Sequence, residues 1–561
     1  MWRSLRISLI LFLLVTPFRH LGNSLQQRDN WRCATAANTP LCLLIESSAI
    51  SPLQHSADIQ EVRQFYRSGN YTLAWFQGNR PTPQARAVIQ ILQNADREGL
   101  TPDDYGATRW RDLLVQLSQP EGARNNDLAP LDVELTLSVM KYASHLCCGR
   151  VDPRLLDFHL DVQNRPVHLA EFMRNQVIRA QNLDDVFQTI EPSYAGYRRT
   201  KAALQQYLDL AKDGEGESLP KLAKTIRPGD PYSGLHVLEQ RLRRLGDLAT
   251  NAPIDPSADH YEGLVVRAVE QFQRRHGLNA DGTIDAATYN QLKVPLQYRV
   301  KQLQLTLERW RWIPVDLPSR LIAVNIPESV LRAYDDHHPS LSMRVIVGKA
   351  FHDRQTPVFQ DSMEYLIFRP YWNVPAKIVR EELIPSIKKN SAFLGAHHFE
   401  VVDLQGRPVL QQSVSTAMLQ DLRDGKLRVR QKPGPDNSLG LIKFVFPNHY
   451  DVYLHGTPEQ QLFSRARRDF SHGCIRVEDP EALAEWVLKK DHSWDRSRIE
   501  SAVNGNTTVS VTLSQPIPVL ILYGTAFVEE NGKVLFFQDI YGFDSRLEQA
   551  LSRRSSSQTP E

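Results

Sequence analysis

Residues 451–480 read DVYLHGTPEQQLFSRARRDFSHGCIRVEDP, the pattern of a strand, a loop, a second strand and the start of a helix. The first strand delivers His455 to a turn at Gly456, and 18 residues separate His455 from Cys474. The sequence DPE at 479–481 supplies an N-cap, a first-position proline and an acidic first turn for the helix. We therefore expect Cys474 at the junction between a glycine-containing loop and regular structure.

The combination of His455 and Cys474 favours nucleophilic catalysis. A thiol is only partly ionised at neutral pH, and an imidazole within hydrogen-bond reach favours the thiolate. We expect His455 to be the base and His472 the rival, because neighbouring side chains on an extended segment diverge. Gly473 allows close approach of a substrate, and the amides of Gly473 and Cys474 are expected to face a developing oxyanion. The alternative is a buried free thiol beside two core histidines.

From Leu321 onward the apolar residues have the period of β-strands, in segments such as LIAVNI, MRVIVG, LIKFVF and PVLILYGTAFV. A charged, helical insertion at about 376–430 interrupts them and is expected either to cover a cleft or to be a solvated excursion. We predict a β-rich domain over 320–515, a C-terminal strand pair over 516–545 that returns to an earlier domain, and a disordered tail at 553–561.

The region before these strands has a helical pattern. It predicts a helical domain over 58–211, a linker rich in Gly, Pro and charge over 212–230, and three short helices over 231–294. One helix is predicted to open at Asp132 and to end before Gly149. Its apolar positions expected to face inward are Leu135, Val139, Tyr142 and Leu146. The fold class is therefore multidomain α+β.

The amino terminus has the three parts of a secretory signal peptide. MWRSLR is basic, residues 7–15 are apolar, and residues 22–24 form a small-x-small triplet. We expect a signal peptide over 1–24, cleaved after Ser24, and therefore a periplasmic protein. An uncleaved inner-membrane anchor is the alternative.

Length and composition exclude several classes of protein. A chain of 561 residues, at roughly 150 residues per domain, is too long for one small binding module. A hydrophobic fraction of 42% is too high for a disordered scaffold. With 66 Lys and Arg against 64 Asp and Glu, the chain lacks the basic excess that nucleic-acid binding needs, so nucleic acid is not an expected partner.

The five cysteines are informative because exported proteins tend to pair their thiols. Cys33 and Cys42 are close enough in sequence to close a small loop. Cys147 and Cys148 lie in an apolar helical pattern, and we expect buried hydrophobic thiols there rather than a vicinal disulfide. Cys474 is the one left over.

Particular segments resemble known families. LEQRLRRLG, VVRAVEQFQRRHGL and DGTIDAATYNQL resemble the first peptidoglycan-binding domain family. HG followed by SHGCIR resembles the active-site signature of the L,D-transpeptidase catalytic domain, the YkuD fold. FRPYWNVP, RQKPGPDNSLGLIKFVFPN and DVYLHGTP resemble the long Gram-negative members, which combine a helical scaffold domain, a peptidoglycan-binding domain and a capping insertion. The resemblance extends over about residues 58–544.

The resemblance implies roles for the residues of the signature. Cys474 is the implied nucleophile, and His455 is the implied base that becomes a general acid. A backbone carbonyl or His472 is expected to orient the imidazole of His455. Ser471, His472 and Gly473 are the positions expected to orient these groups or to hold the oxyanion.

The resemblance also implies four substrate-binding positions. Tyr453 matches an aromatic residue that lines the pocket, and Trp372 and Asn373 match the cleft-facing part of YWNVP. Core packing is the alternative role for Tyr453 and Trp372. Arg476 matches the arginine of the signature, with a structural salt bridge as its alternative role.

The implied function is a cysteine-dependent peptidoglycan L,D-transpeptidase that forms 3-3 cross-links, with tetrapeptide stems as donor and acceptor and no metal or cofactor. Inhibition by carbapenems is implied as well. The alternatives are an L,D-carboxypeptidase or stem-peptide hydrolase, and a non-catalytic wall-binding scaffold. Other wall-synthesis or wall-trimming proteins are possible partners.

Overall fold

The residues placed by a computed structural model are Cys33, 35–47, 58–117, 128–161, 168–253, 257–351, 353–409 and 414–556. The predicted signal peptide over 1–24 lies outside them. The chain forms two compact units. The first comprises the residues up to Asp96, 100–148 and 165–191, and the second comprises 97–99, 149–164 and the residues from Pro192 onward.

The first unit is a helical bundle with a short hairpin of strands β1 (Phe76–Gln77) and β2 (Arg80–Pro81). The four apolar residues predicted to face inward from its longest described helix are all buried, which confirms that face. The helices up to residue 191 are Thr39–Glu46, Asp58–Ser68, Pro83–Gln93, Ala107–Leu117, Leu128–Cys148, Leu169–Asn175 and Leu183–Gln188, with short turns at Ala95–Glu98, Pro102–Tyr105 and Val177–Arg179.

The prediction that a helix opens at Asp132 is wrong. The helix is Leu128–Cys148, and Asp132 lies inside it, fully buried. Its carboxylate accepts hydrogen bonds from the Tyr66 hydroxyl at 2.6 Å and from the backbone N–H groups of Ala74 and Trp75 at 3.0 and 2.8 Å. A buried carboxylate needs such donors, and here they come from the helix Asp58–Ser68 and from the segment at Ala74 and Trp75 that follows it.

The cysteines of the first unit are paired. Cys33 and Cys42 form a disulfide, in agreement with their spacing. Cys147 and Cys148 are also joined, which corrects the expectation of separate thiols. The helix ends at Cys148 and Gly149 follows with φ of +80°, so the backbone leaves helical geometry where the two sulfurs meet. Cys147 is buried, as expected.

Two helices of the second unit pack on each other. Ala195–Lys212 lies at the end of the helical domain predicted over 58–211, but its contacts place it in this second unit. Leu296–Trp310 was not predicted. Their shared apolar cluster includes Leu204 and Leu303.

Three helices form the small bundle predicted over 231–294. They are Leu235–Arg244, Leu264–Arg275 and Ala286–Leu292, and their core contains Leu238, Phe272 and other apolar residues. The polar Gln273 is buried among them, and its side-chain amide donates to the Thr283 carbonyl at 2.8 Å.

Nine of the described strands form one sheet. They are β3 (Leu321–Asn325), β4 (Val330–Asp335), β5 (His338–Gly348), β6 (Phe359–Phe368), β10 (Ile442–Val445), β11 (Leu454–His455), β12 (Asp469–Ser471), β13 (Ile475–Val477) and β14 (Val509–Leu522). Their order in the sheet is β12-β5-β13-β11-β10-β6-β14-β3-β4. β4 also pairs with β5, so the sheet closes on itself around an apolar core. The accompanying helices are Pro153–Leu156, Gln460–Ser464, Pro480–Leu488 and Arg496–Asn504.

The insertion predicted as helical also contains strands. β7 (Trp372–Asn373), β8 (Phe399–Val402) and β9 (Arg428–Gln431) form a separate sheet with β9 in the middle. The insertion has its own apolar cluster, so it is a folded subdomain rather than a solvated excursion. Its helical segments are Ala376–Ile378, Val379–Leu383, Ile384–Lys389, Phe393–Ala396 and Thr416–Arg423.

The C-terminal strand pair is β15 (Ala526–Val528) with β16 (Val534–Phe536), and it packs on the helices around Leu204 and Leu303. A further helix, Phe543–Ser556, extends into the tail that was predicted to be disordered from residue 553. Among the residues that the structure places, no helix has both the length and the apolar character to cross a membrane.

Candidate active site

Two adjacent strands bring His455 and Cys474 together. β11 runs parallel to β13, and His455 is paired with Arg476. The Ile475 N–H donates to the Tyr453 carbonyl at 3.1 Å. By this register Cys474 lies beside Tyr453, two positions before the level of His455.

A buried threonine and a serine hold the loop that carries Cys474. Ser471 Oγ donates to the Cys474 carbonyl at 2.5 Å and accepts from the Gly473 N–H at 3.1 Å. Thr356 is fully buried, and its Oγ1 donates to the Gly473 carbonyl at 2.7 Å. Gly473 has φ of +124°, which residues with a side chain rarely adopt. The motif therefore needs glycine for its backbone conformation.

The expected pair of oxyanion donors needs correction. The Gly473 N–H is engaged by Ser471 Oγ, because the serine side chain folds back over the loop. The Cys474 N–H has no hydrogen-bond acceptor among the residues described by the structure. Ser471 therefore shapes the loop, and the amide of Cys474 itself is the remaining candidate donor to an oxyanion.

His455 is buried, with 5% of its surface exposed, and its Nδ1 lies 2.6 Å from the Gly456 carbonyl oxygen. A carbonyl only accepts, so Nδ1 carries the proton and Nε2 keeps its lone pair. Burial, together with the charges of Arg476 and Lys443, lowers the pKa of His455 to about 3. His455 is therefore a neutral imidazole whose Nε2 is able to accept a proton.

Cys474 is half-buried and is the one free cysteine in the described part of the chain. Its Sγ lies 3.5 Å from the Asp451 carbonyl oxygen. Burial raises the pKa of the thiol, whereas hydrogen bonds from Tyr453 and the charge of Lys443 lower it. The resting group is a thiol whose neighbours favour its ionisation.

Of the two groups expected to orient His455, the structure shows a backbone carbonyl, that of Gly456, and not His472. His472 lies at the surface, where its Nε2 is 2.7 Å from Glu382 Oε1 and 3.0 Å from Arg354 Nη1. The side chains before and after the Gly473 bend therefore point in different directions. This contact makes His472 a poor candidate for the base.

Tyr453 lies beside the thiol, since it is level with Cys474 in the strand register. The rings of Tyr453 and His455 have centroids 5.6 Å apart. Trp372 packs on Phe399 of the insertion, with centroids 6.1 Å apart. Asn373 follows on β7 and is exposed. Tyr453 thus has a position at the candidate site, whereas the ring contact of Trp372 corresponds to the packing role that was its alternative.

Arg476 forms an ion pair with Glu459, and only 16% of its side chain is exposed. This contact is the structural salt bridge that was the alternative to a substrate-binding role for Arg476. The charge of Arg476 still acts on the site, because it contributes to the lowered pKa of His455.

Lys443 is a site residue that sequence reasoning missed. It lies on β10 and is paired with His455 across the antiparallel β10–β11 ladder. Its Nζ lies 3.7 Å from the centroid of the Tyr453 ring. In the segment LIKFVF it lies between the core residues Ile442 and Phe444, as an ordinary outward-facing side chain on a strand does, so the sequence does not mark it as a site residue.

The insertion reaches the loop of Cys474 through charged contacts. Glu381 and Glu382 lie in the segment Val379–Leu383, and Arg354 is 3.2 Å from the first and 3.4 Å from the second. Lys377 pairs with Asp353. Together with the His472–Glu382 contact, these pairs fix one end of the insertion next to the nucleophile loop.

No cluster of three or more His, Cys, Asp or Glu that could hold a metal ion occurs among the described residues. A partly open, mainly apolar cavity of about 110 Å³ is lined by Trp310, Trp312 and Tyr523, and it contains none of the predicted site residues. The thiol and the imidazole therefore remain the candidate chemical groups.

Comparison with known families agrees with the geometry. Residues 319–511 match the model of the L,D-transpeptidase catalytic domain, YkuD. This region is therefore similar to the L,D-transpeptidase catalytic domain. Residues 60–204 match the Scaffold domain, and residues 232–292 match a domain described as "Putative peptidoglycan binding domain". The resemblance inferred from the motifs and the multidomain α+β class are both confirmed.

A Haemophilus influenzae protein named "Putative L,D-transpeptidase" is 34% identical over 249 residues, which are 44% of this chain. The match spans about half, 49%, of that relative's length. A solved L,D-transpeptidase from Xylanimonas cellulosilytica, residues 123–326, is 14% identical and covers 54% of this chain and 100% of its own. Its TM-score of 0.17 is too low to bear on the fold.

Proposed function

We propose that this protein is a peptidoglycan L,D-transpeptidase that forms 3-3 cross-links through a thioester on Cys474. The observation that carries the proposal is the placement of Cys474 beside Tyr453, immediately before β13, with the neutral His455 two positions further along on the adjacent strand β11. A nucleophile, a base and an orienting group for the base are thereby collected in one place.

In the first step, Cys474 Sγ attacks the carbonyl of the L-centre of the third residue in a tetrapeptide stem. The thiol proton passes to His455 Nε2, and the developing oxyanion accepts from the Cys474 N–H. One such donor contributes roughly 3 kcal/mol to transition-state stabilisation. The C–N bond then breaks, His455 returns the proton to the leaving D-Ala amine, and the thioester remains.

In the second step, the side-chain amine of a diamino acid in another stem attacks the thioester. His455 Nε2 takes a proton from this amine, a new amide forms, and the thiolate leaves and recovers the proton. One amide is exchanged for another, so the reaction needs no nucleotide. The same thiol is proposed to be acylated by carbapenems.

The capping insertion favours transfer over hydrolysis. Its contacts with Arg354 and His472 hold it next to the nucleophile loop, and a covered site limits the access of water to the thioester. We propose that the region 232–292 binds the wall polymer and that the chain acts in the periplasm after export.

The proposal is tested with the purified protein and tetrapeptide muropeptides, with products read by mass spectrometry. The variants are Cys474→Ala, His455→Ala and, as a control far from the thiol, Lys489→Met. We expect the wild type and Lys489→Met to produce a dimer lighter than two monomers by one D-Ala, and the other two variants to produce none.

Other products would identify other functions. A tripeptide monomer without dimer indicates a carboxypeptidase. An unchanged substrate, with Cys474 reduced and the protein folded, contradicts both enzymatic functions and favours a wall-binding scaffold.

A further inference from the structure

The neutral state of His455 raises the question of which positively charged group stabilises an ionised Cys474. Many cysteine nucleophiles are held as thiolates by a protonated histidine. Here burial, with Arg476 and Lys443 nearby, lowers the pKa of His455 to about 3, so its imidazole is neutral in the resting protein. An ionised Cys474 therefore has no imidazolium beside it, and a different positive group is the candidate to stabilise its charge.

Lys443 is placed for this task by the strand ladder. Side chains directly opposite each other on antiparallel strands lie on one face of the sheet, so Lys443 shares a face with His455. The neighbouring Ile442 and Phe444 point into the core on the other face. The ammonium is therefore fixed on the side of the sheet that carries the candidate site.

The contact of the ammonium is with the residue beside the nucleophile. Lys443 Nζ lies over the Tyr453 ring, 3.7 Å from its centroid, and Tyr453 is level with Cys474 in the register of the neighbouring strands. Within the described residues, no carboxylate forms an ion pair with Lys443 and no group accepts a hydrogen bond from it. Burial lowers the pKa of Lys443, and the negative charge of an ionised Cys474 is the first effect that opposes this.

The other titratable groups around Lys443 come from three neighbouring elements. β11 contributes His455 and the residue before it, Tyr453, the β13 region contributes Cys474 and Arg476, and the preceding turn contributes Asp451. Arg476 is already paired with Glu459. Of the two cations, Lys443 is thus the one that forms no direct ion pair among the described residues, although the charge of Asp451 acts on it.

We propose that Lys443 is a positioning residue that stabilises the Cys474 thiolate electrostatically and keeps His455 in its neutral, proton-accepting form. The inference rests on Cys474 being the nucleophile of the proposed function. It assigns an electrostatic role to a residue outside the HG and SHGCIR motifs.

The test measures ionisation of the thiol directly. The full chain is alkylated with iodoacetamide between pH 6 and 11, in which the S–C bond forms and iodide leaves, and modification of Cys474 is followed by peptide mass spectrometry. The variants are Lys443→Met, Lys443→Gln and Lys443→Arg. The control is Lys489→Met, because Lys489 is an exposed lysine far from the thiol.

We expect Lys443→Met and Lys443→Gln to raise the midpoint of the rate against pH by about one unit, which lowers the rate near pH 7 about tenfold. Lys443→Arg restores most of the wild-type midpoint, and Lys489→Met matches the wild type. A wild-type midpoint in either neutral variant, with its circular dichroism and melting temperature unchanged, overturns the inference. Having both Met and Gln variants keeps the test decisive if one fails to fold.

The outcome is separable from that of the proposed function, because alkylation needs no muropeptide. A shifted midpoint without dimer formation supports the role of Lys443 and contradicts the transpeptidase. Dimer formation with an unshifted midpoint supports the transpeptidase and contradicts the role of Lys443.

Discussion

The Nε2 atom of His472 lies 2.7 Å from the Oε1 atom of Glu382, which joins the residue two positions before Cys474 to the capping insertion. Arg354 contacts both partners, since its Nη1 is 3.0 Å from His472 Nε2 and 3.4 Å from Glu382 Oε1. These contacts couple the loop of the nucleophile to the insertion subdomain. Opening of the insertion must therefore break them.

His472→Ala and Glu382→Gln are each expected to loosen this end of the insertion. A partly exposed polar contact of this kind contributes about 0.2–1 kcal/mol, so hydrogen exchange over residues 376–389 should become faster by a factor of roughly 1.4 to 5. Hydrogen exchange mass spectrometry provides the measurement. His236→Ala, in the three-helix bundle, is the control. Unchanged exchange in both variants would show that the contact does not hold the insertion.

The second prediction concerns the protonation of His455. Because its pKa in the folded protein is about 3, we expect a neutral ring with the proton on Nδ1 at pH 5. Nitrogen chemical shifts of histidine-labelled protein measure this state, and the spectrum of His455→Gln assigns the signal. A doubly protonated ring at pH 5 contradicts the prediction.

The same lowered pKa has a consequence for stability. An unfolded His455 titrates near 6.5, so the unfolded state binds a proton first as the pH falls. The contribution of the neutral, buried His455 to the free energy of unfolding is complete above about pH 6.5. It is lost progressively as the pH falls toward 3, by up to about 1.4 kcal/mol per pH unit.

The core of the site was predictable because its signals are local. The turn after His455, the glycine before Cys474 and the following strand all lie within one short stretch. Lys443 was not predictable in the same way. An outward residue on a strand becomes a site residue only through its partner strand, and the sequence does not state that β10 pairs with β11.

Three other differences between the predicted and the observed fold have separate causes. Asp132 reads as a helix cap, but its hydrogen-bond donors, such as Tyr66 and Trp75, lie more than 50 residues away. The helix Leu296–Trp310 did carry a recognisable signal, since its buried residues at 296, 300, 303 and 307 recur at helical spacing. The strands of the insertion pair only with each other, and β9 is flanked by charged residues that obscure its pattern.

The third prediction concerns Thr356, which links two backbone segments under the nucleophile loop. Its Oγ1 donates to the Gly473 carbonyl and accepts from the Gly348 N–H at 2.9 Å. Thr356→Val leaves both groups unsatisfied, at a cost of about 1–3 kcal/mol, and we expect dimer formation to slow roughly tenfold to a hundredfold.

Thr356→Ser is the matched variant, because it keeps the hydroxyl and is expected to keep most of the activity. Hydrogen exchange over residues 471–476 should increase in the valine variant and not in the serine variant. Equal activity and equal exchange in the two variants would show that the hydroxyl does not position Gly473.

The last prediction concerns Asp132, whose buried carboxylate holds the loop at Ala74 and Trp75. An asparagine has one accepting oxygen, and its amide group would face an N–H donor. Asp132→Asn should therefore destabilise the first unit by about 1–3 kcal/mol. Hydrogen exchange over residues 58–75 should increase, whereas Asp185→Asn, an exposed control in the same unit, should leave it unchanged.

Measuring the stability of the wild type and of Asp132→Asn as a function of pH distinguishes the effect of the Asp132 charge from the effect of its side-chain shape. Burial raises the pKa of folded Asp132 above its unfolded value, so its contribution to stability is complete below the unfolded pKa and is lost as the pH rises through the folded pKa. Asparagine does not titrate, so the wild type and Asp132→Asn should differ most in acid and converge as the pH rises. A difference that grows with pH would mean that the ionised carboxylate is the favoured form and would reverse this assignment.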